Sequence, residues 1–143
     1  MKQARTLTDK ELKRLLAVIA QRRYTERDRA MVLLTHLAGM RIGEVAALTI
    51  GDVLDRNGDI VPDINLAAHQ TKGAHARTVV LSTRMRQELR DYMDWYQSSY
   101  RGKQSQQLDR TLPLFPTQKR SGFTANTACY HLFMLYRDAG FDG

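Results

Sequence analysis

The chain has a single cysteine, Cys129, which excludes an internal disulfide framework and makes a reducing compartment the natural expectation. No run approaches the roughly 20 consecutive apolar residues of a membrane-spanning helix, and Met1 to Thr8 are too polar for a secretory signal. A cytoplasmic location without membrane attachment is therefore expected. Internal repeats and low-complexity tracts are absent. No Cys/His spacing suits zinc, and no glycine-rich phosphate loop occurs. Neither a metal nor another cofactor is expected.

What is present is a soluble, basic composition. Hydrophobic residues make up 43% and charged residues 26% of 143 positions, enough for one domain with a buried core. Lys and Arg number 22 against 15 Asp and Glu, a net charge of +7. That excess fits a polyanionic partner, most simply nucleic acid, although charge alone does not separate this from a merely soluble basic protein.

Hydrophobic periodicity predicts a helix-rich α+β fold. Thr8-Asp9-Lys10-Glu11 has the form of a capping box, flanked by Leu7 and Leu12 at the staple positions. Leu12, Leu15, Leu16 and Ile19 then continue an amphipathic helix over about 8–21. A second helix is expected from Thr25, with Met31, Leu34, Leu37 and Ala38 inward and Gly39 as a left-handed stop. A short third helix follows from about Ile42 to Leu48. The period then becomes two: Ile60, Pro62, Ile64 and Leu66 alternate with Val61, Asp63 and Asn65, and Asn57-Gly58 supplies a turn before them. Arg77 to Leu81 is a second β-branched run, and Thr71 to Ala74 lies between as a hairpin tip. With Thr49 to Leu54 as a first strand, these make a small three-stranded antiparallel sheet. Ser82 caps the next helix, on which Met85, Leu89, Tyr92, Met93 and Tyr96 form one stripe. Residues 97–112 read as polar loop and Leu112 to Pro116 as a rigid extended stretch. A last helix over about 125–139 turns Ala128, Leu132, Leu135 and Tyr136 inward and stops at Gly140.

The chemically informative segment is Ala38-Gly39-Met40-Arg41-Ile42-Gly43-Glu44. Glycine allows a sharp turn, so Arg41 emerges where a helix opens and presents unsatisfied N–H groups. A guanidinium fork there matches two phosphate oxygens in a way that lysine does not. The same pattern also describes an ordinary surface pair between Arg41 and Glu44. Some thirty residues later comes Thr71-Lys72-Gly73-Ala74-His75-Ala76-Arg77-Thr78-Val79-Val80-Leu81. By itself a Lys-Gly turn is usually a solvated hairpin.

Together these two segments resemble the first arginine motif and the β-hairpin lysine of the tyrosine recombinases, the phage-integrase family. The likeness runs from about Leu7 to Gly143, through Glu44 to Asp52, Leu114-Phe115-Pro116 and Arg137 to Phe141. It implies site-specific DNA recombination or integration on double-stranded DNA. A tyrosine would attack the phosphodiester, Arg41 would stabilise the pentavalent phosphorus, Lys72 would protonate the leaving 5′ oxygen, and Glu44 would orient Arg41. The family assembles as a tetramer on DNA. Thr71, His75, Arg77, Lys119 and Arg120 are candidate DNA contacts, as are Arg84, Arg86 and Arg90; a solvated face is the simpler account of such charges.

The family continues with a His-x-x-Arg motif and a late nucleophilic tyrosine. None of His36, His69, His75 and His131 has Arg three residues on. Tyr92, Tyr96 and Tyr136 lie on apolar stripes, and Tyr24, Tyr100 and Tyr130 lack the family context, so no nucleophile is assigned. Residues 1–143 are accordingly expected to be part of a catalytic domain without its core-binding domain or its C-terminal part, inactive alone, and either monomeric or self-associating. A catalytically dead DNA-binding or regulatory module is the alternative expectation; an unrelated basic helical DNA-binding protein is a third.

Overall fold

The first helix begins where the sequence sets a cap. In the computed structural model, which describes residues 6–71, 73–100, 108–119 and 121–141, the Glu11 N–H donates to the Thr8 hydroxyl at 3.1 Å and the Thr8 N–H to the Glu11 carboxylate at 3.0 Å. Helix α1 spans Asp9–Ile19 and buries Leu12, Leu15 and Ile19, with Leu7 closing the staple. Helix α2 is Thr25–Leu37. It has no side-chain cap; the Thr25 hydroxyl instead donates to the carbonyls of Ile19 and Arg22, fastening the turn between the two helices.

Helix α2 is buried on nearly every side: Arg27, Asp28, Ala30, Met31, Val32, Leu33 and Leu34 are all inside. Such a helix is central, because an exposed one keeps a polar face. It ends at Gly39, whose φ of +67° lets the Met40 N–H return to the Leu34 carbonyl at 3.2 Å. Nothing within 4 Å would meet a Cβ there, so Gly39→Ala isolates the backbone term. It should cost about 1–2 kcal/mol; an unchanged melting temperature would show that the left-handed turn is not needed.

Two short helices follow, α3 over Ile42–Ala46 and α4 over Ile50–Val53. The second corrects the expected first strand at Thr49 to Leu54. Thr49 and Asp52 have capping spacing, and the Asp52 carboxylate accepts the Thr49 N–H at 2.9 Å. The N–H groups of Ile50 and Gly51 turn toward the carbonyls of Leu112 and Arg110 rather than toward a strand. Only isolated bridges remain, Thr49 with Pro113 and Leu54 with Ile60. The described sheet therefore has two strands, not three: β1 (Asp63–Leu66) antiparallel to β2 (Arg77–Val80), with Ile64 opposite Val79 and Leu66 opposite Arg77. Pro62 is exposed instead of sharing the inward face with Ile60 and Ile64. Its carbonyl accepts the Leu81 N–H, extending the ladder.

Helix α5 (Thr83–Trp95) opens on the Ser82 hydroxyl, which accepts the Met85 N–H at 3.1 Å, and runs into a π-helical turn at Tyr96–Tyr100. Its stripe of Met85, Leu89, Tyr92 and Met93 is buried, as is Tyr96 beyond it. The stretch 112–116 is extended as expected: the Leu114 N–H donates to Leu48, and the Tyr92 hydroxyl donates to the Leu114 carbonyl at 2.6 Å. Helix α6 (Ala125–Asp138) starts at Thr124, packs along α3, and stops at Gly140 with φ +86°. Arg14 of α1 holds that end, donating from Nε and Nη2 to the Ala139 carbonyl at 2.9 and 2.7 Å. No helix among the described residues is long and apolar enough to cross a membrane.

Candidate functional site

Arg41 stands between the left-handed turn at Gly39 and the start of α3, with extended backbone (φ −74°, ψ 147°). Gly39 thus reverses the chain just before the arginine, and the side chain projects outward while Met40 and Ile42 on either side are buried. Among the described residues the Arg41 guanidinium makes no hydrogen bond or ion pair. Helix α3 has only five residues, so its end adds little field, and the charge at this position is that of the side chain itself.

Glu44 is the buried counterpart, 4% exposed. One carboxylate oxygen, Oε1, accepts both the Arg41 backbone N–H at 3.0 Å and the Arg77 guanidinium at 2.9 Å. Glu44 therefore holds Arg41 through its main chain, and the guanidinium it pairs with belongs to Arg77 on β2. A buried carboxylate needs such partners, since leaving it unpaired costs several kcal/mol.

The β1–β2 connection brings the second motif to the same place. A 3₁₀ turn, Ala68–Gln70, leads into Thr71, whose hydroxyl donates to the His75 carbonyl at 2.8 Å and accepts the His75 N–H at 3.1 Å. Ala74 takes a left-handed φ of 55° inside this loop. The buried Gln70 anchors its root: the side-chain N–H groups donate to the Asp52 carboxylate at 2.8 Å and the Ala47 carbonyl at 3.1 Å, and its oxygen accepts the Ala67 N–H. Arg41, Glu44, Thr71, Gly73, His75 and Arg77 line one open cleft of about 430 Å³. Lys72 lies outside the described residues, as does Arg120; Thr71 and Gly73, the neighbours of Lys72 in the chain, are both in the cleft wall.

Lys119 sits elsewhere, on a loop closed by the Thr117 N–H to the Ser121 carbonyl and a bridge between Pro116 and Gly122. It borders a larger cleft, about 740 Å³, with Arg22, Arg23, Tyr24, Arg27 and His131 among its walls. Behind that cleft is a polar cluster that sequence reasoning missed. Arg27 and Asp28 are 5% and 1% exposed. The Asp28 carboxylate receives Arg27 at 3.0 Å and His131 Nε2 at 2.8 Å, while Arg27 donates to the Pro116 carbonyl at 3.0 Å. The guanidinium of Arg27 also faces the rings of Tyr24 and Phe123, at 4.5 and 5.2 Å from their centroids. Burial by itself would raise the Asp28 pKa; the His131 hydrogen bond and the Arg27 charge outweigh it and hold the carboxyl below its ordinary value. Little in the sequence signals it, because Arg27 and Asp28 lie within a run of four charged residues, Glu26 to Arg29, at the start of the helix.

No described tyrosine on the apolar stripes is poised as a nucleophile. Tyr92, Tyr96 and Tyr136 are buried, and burial pushes the Tyr92 hydroxyl well above its usual pKa while it donates to Leu114. Tyr130 is 65% exposed on α6. No cluster of His, Cys, Asp or Glu among the described residues could hold a metal ion.

With this geometry in view, the comparisons with known proteins agree on one family. Its sequence profile, described as the phage integrase family, matches residues 5–140. Over 91 residues, 63% of this chain, the sequence is 38% identical to tyrosine recombinase XerA of Thermococcus kodakarensis. Over 95 residues, 64% of this chain, it is 32% identical to transposase A from transposon Tn554 of Staphylococcus aureus. These matches span 29% and 25% of the two relatives, so the chain corresponds to a fraction of either. The crystal structure of a XerA recombinase aligns with 99% of this chain and 46% of its own length, with a TM-score of 0.67 at 24% identity, a likeness of fold. The chain belongs to the phage integrase family, the tyrosine recombinases.

Proposed function

We propose that this chain contributes the phosphate-binding part of a recombinase active site, acting in site-specific cleavage and rejoining of double-stranded DNA in the cytoplasm. The observation that carries the reading is the exposed Arg41 guanidinium beside a carboxylate whose charge is already met by other donors. Arg41 is left with its positive charge facing solvent, and a non-bridging phosphate oxygen is its fitting partner. In the proposed reaction, a tyrosine hydroxyl oxygen forms a bond to the scissile phosphorus as the bond to the 5′ oxygen breaks. The tyrosyl oxygen gives up its proton, the 5′ oxygen takes one from the Lys72 ammonium, and a 3′-phosphotyrosyl link results. A second strand's 5′ hydroxyl then reverses these steps. Arg41 stabilises the equatorial oxygens, an effect worth about 10²–10³-fold in rate for one donor of this kind. Residues 1–143 are read as part of the catalytic domain, the nucleophile is supplied from outside them, and four such protomers assemble on DNA.

Duplex DNA binding should fall steeply with salt, because each neutralised phosphate adds about 0.9 to the slope of log affinity against log salt. Arg41→Ala should lower the slope by about that amount. Equal slopes and affinities for the two proteins would sink the phosphate-site reading. A nicked suicide substrate should trap no covalent adduct with this chain, and an adduct would show that one of its own tyrosines attacks.

A further inference from the structure

The recombinase reading treats the hairpin as the carrier of Lys72 and leaves Arg77 as one more cation near DNA. The geometry gives it a different task. Arg77 begins β2 opposite the buried Leu66 in the register and shares its strand face with the buried Val79. From the open end of that inward face its guanidinium reaches Glu44 Oε1, the same oxygen that receives the Arg41 backbone N–H. Glu44 is 4% exposed and the Arg77 side chain 44% exposed. The pair thus joins a buried anion to a half-buried cation, linking the helix that opens at Arg41 to the strand that leaves the hairpin.

Resting on the proposed phosphate site, we infer that Arg77 is a positioning residue: it neutralises Glu44 so that Arg41 meets the phosphate at full strength. Two consequences follow from electrostatics. Without Arg77, the buried Glu44 carboxylate keeps one hydrogen bond from Arg41 and, among the described residues, no cation of its own. Its negative charge then sits one helical turn from the Arg41 side chain, where it repels an incoming phosphate and draws the free guanidinium toward itself. The hairpin also loses its ion pair to α3 and is held there through Gln70 alone among these contacts. A cation that touched phosphate directly would behave otherwise, because its loss could not be repaired by deleting an anion.

The test uses the 143-residue chain and a short mixed-sequence duplex DNA, with affinity measured over a range of salt. Arg77→Gln should weaken binding by about tenfold, the equivalent of one charge-assisted contact. Arg77→Lys keeps the charge within reach of Glu44 and should restore most of the loss. The deciding protein is the double variant Glu44→Gln with Arg77→Gln. There the amide oxygen at position 44 still accepts the Arg41 N–H, while the uncompensated charge is gone. It should bind within about threefold of the unsubstituted chain and with the same salt slope. If the double variant stays as weak as Arg77→Gln, with a slope lower by about 0.9, then Arg77 contacts phosphate itself and the inference fails. Unchanged affinity for Arg77→Gln overturns it as well. Should Arg77→Gln prove too unstable to measure, the salt slope of the double variant decides alone by the same two outcomes. Arg41→Ala keeps the two ideas apart: no loss of slope there removes the phosphate site itself, whatever the Arg77 variants do.

Discussion

Asp28→Ala should destabilise the fold by about 3–5 kcal/mol, a loss typical of breaking a buried pair from one side. The substitution leaves the Arg27 guanidinium, 6% exposed, without its counter-ion and takes from His131 the carboxylate that ties α6 to α2. For a domain of this size the melting temperature should fall by roughly 10–20 °C. A loss below about 1 kcal/mol would mean that the cluster relaxes into solvent, as surface pairs do. The pH dependence has a definite sign. Asp28 has a folded-state pKa below its ordinary value, burial being outweighed by the His131 hydrogen bond and the Arg27 charge. It binds its proton less readily in the folded than in the unfolded chain. Its contribution is present above the unfolded value, about 3.9, and is lost as pH falls through the lower folded value. Urea unfolding of Asp28→Asn should therefore show a shallower decline of stability on acidification below about pH 4 than the unsubstituted chain. Parallel declines would assign the acid sensitivity to other carboxylates.

The second large effect is expected at Phe115. The ring is 1% exposed and lies 5.1 Å from that of Tyr92, centroid to centroid. Phe115→Ala should cost about 3–5 kcal/mol through lost burial and the cavity left behind. The consequence reaches the site, because the preceding Leu114 donates its N–H to Leu48 and receives the Tyr92 hydroxyl. Phe115 thus secures the stretch that backs α3 and α4. Thermal unfolding gives the stability change. DNA titration well below the lowered melting temperature should show a reduced affinity, since Arg41 stands on α3. A destabilised variant with unaltered affinity would separate this part of the core from the cleft.

Local chemistry was legible in the sequence wherever a residue's role depended on near neighbours. Thr8 with Glu11, Ser82 with Met85, Gly39 and Gly140 act as the spacing predicts. The inward stripes of α1, α5 and α6 also follow directly from period 3.6. The failures involve partners far along the chain. Thr49 to Leu54 has strand-like residues, yet its N–H groups find Arg110 and Leu112, and a helical turn wins. The periodicity of α2 picks out one apolar face, Met31, Leu34, Leu37 and Ala38, and carries no sign that Arg27 and Asp28 are also inside. Their burial is made tolerable by Pro116 and His131, about a hundred residues away in both cases. The site divides in the same way. Arg41, Glu44 and the hairpin stand out in the sequence as motifs, and the fold brings their described residues into one cleft wall. That the Glu44 ion pair is made with Arg77, 33 positions away, depends on how the strand folds back and leaves no mark in either segment alone.

The grip of Arg14 on the Ala139 carbonyl joins residues 125 positions apart. A chain emerging from the ribosome presents α1 early, but that guanidinium has nothing to hold until the last turn of α6 has been made. Closing so wide a loop is entropically expensive, and contacts of this kind form late on the way to the native state. Helix α1 should therefore be among the final pieces of this fold to lock, leaving an interval in folding during which α1 and α6 are still apart.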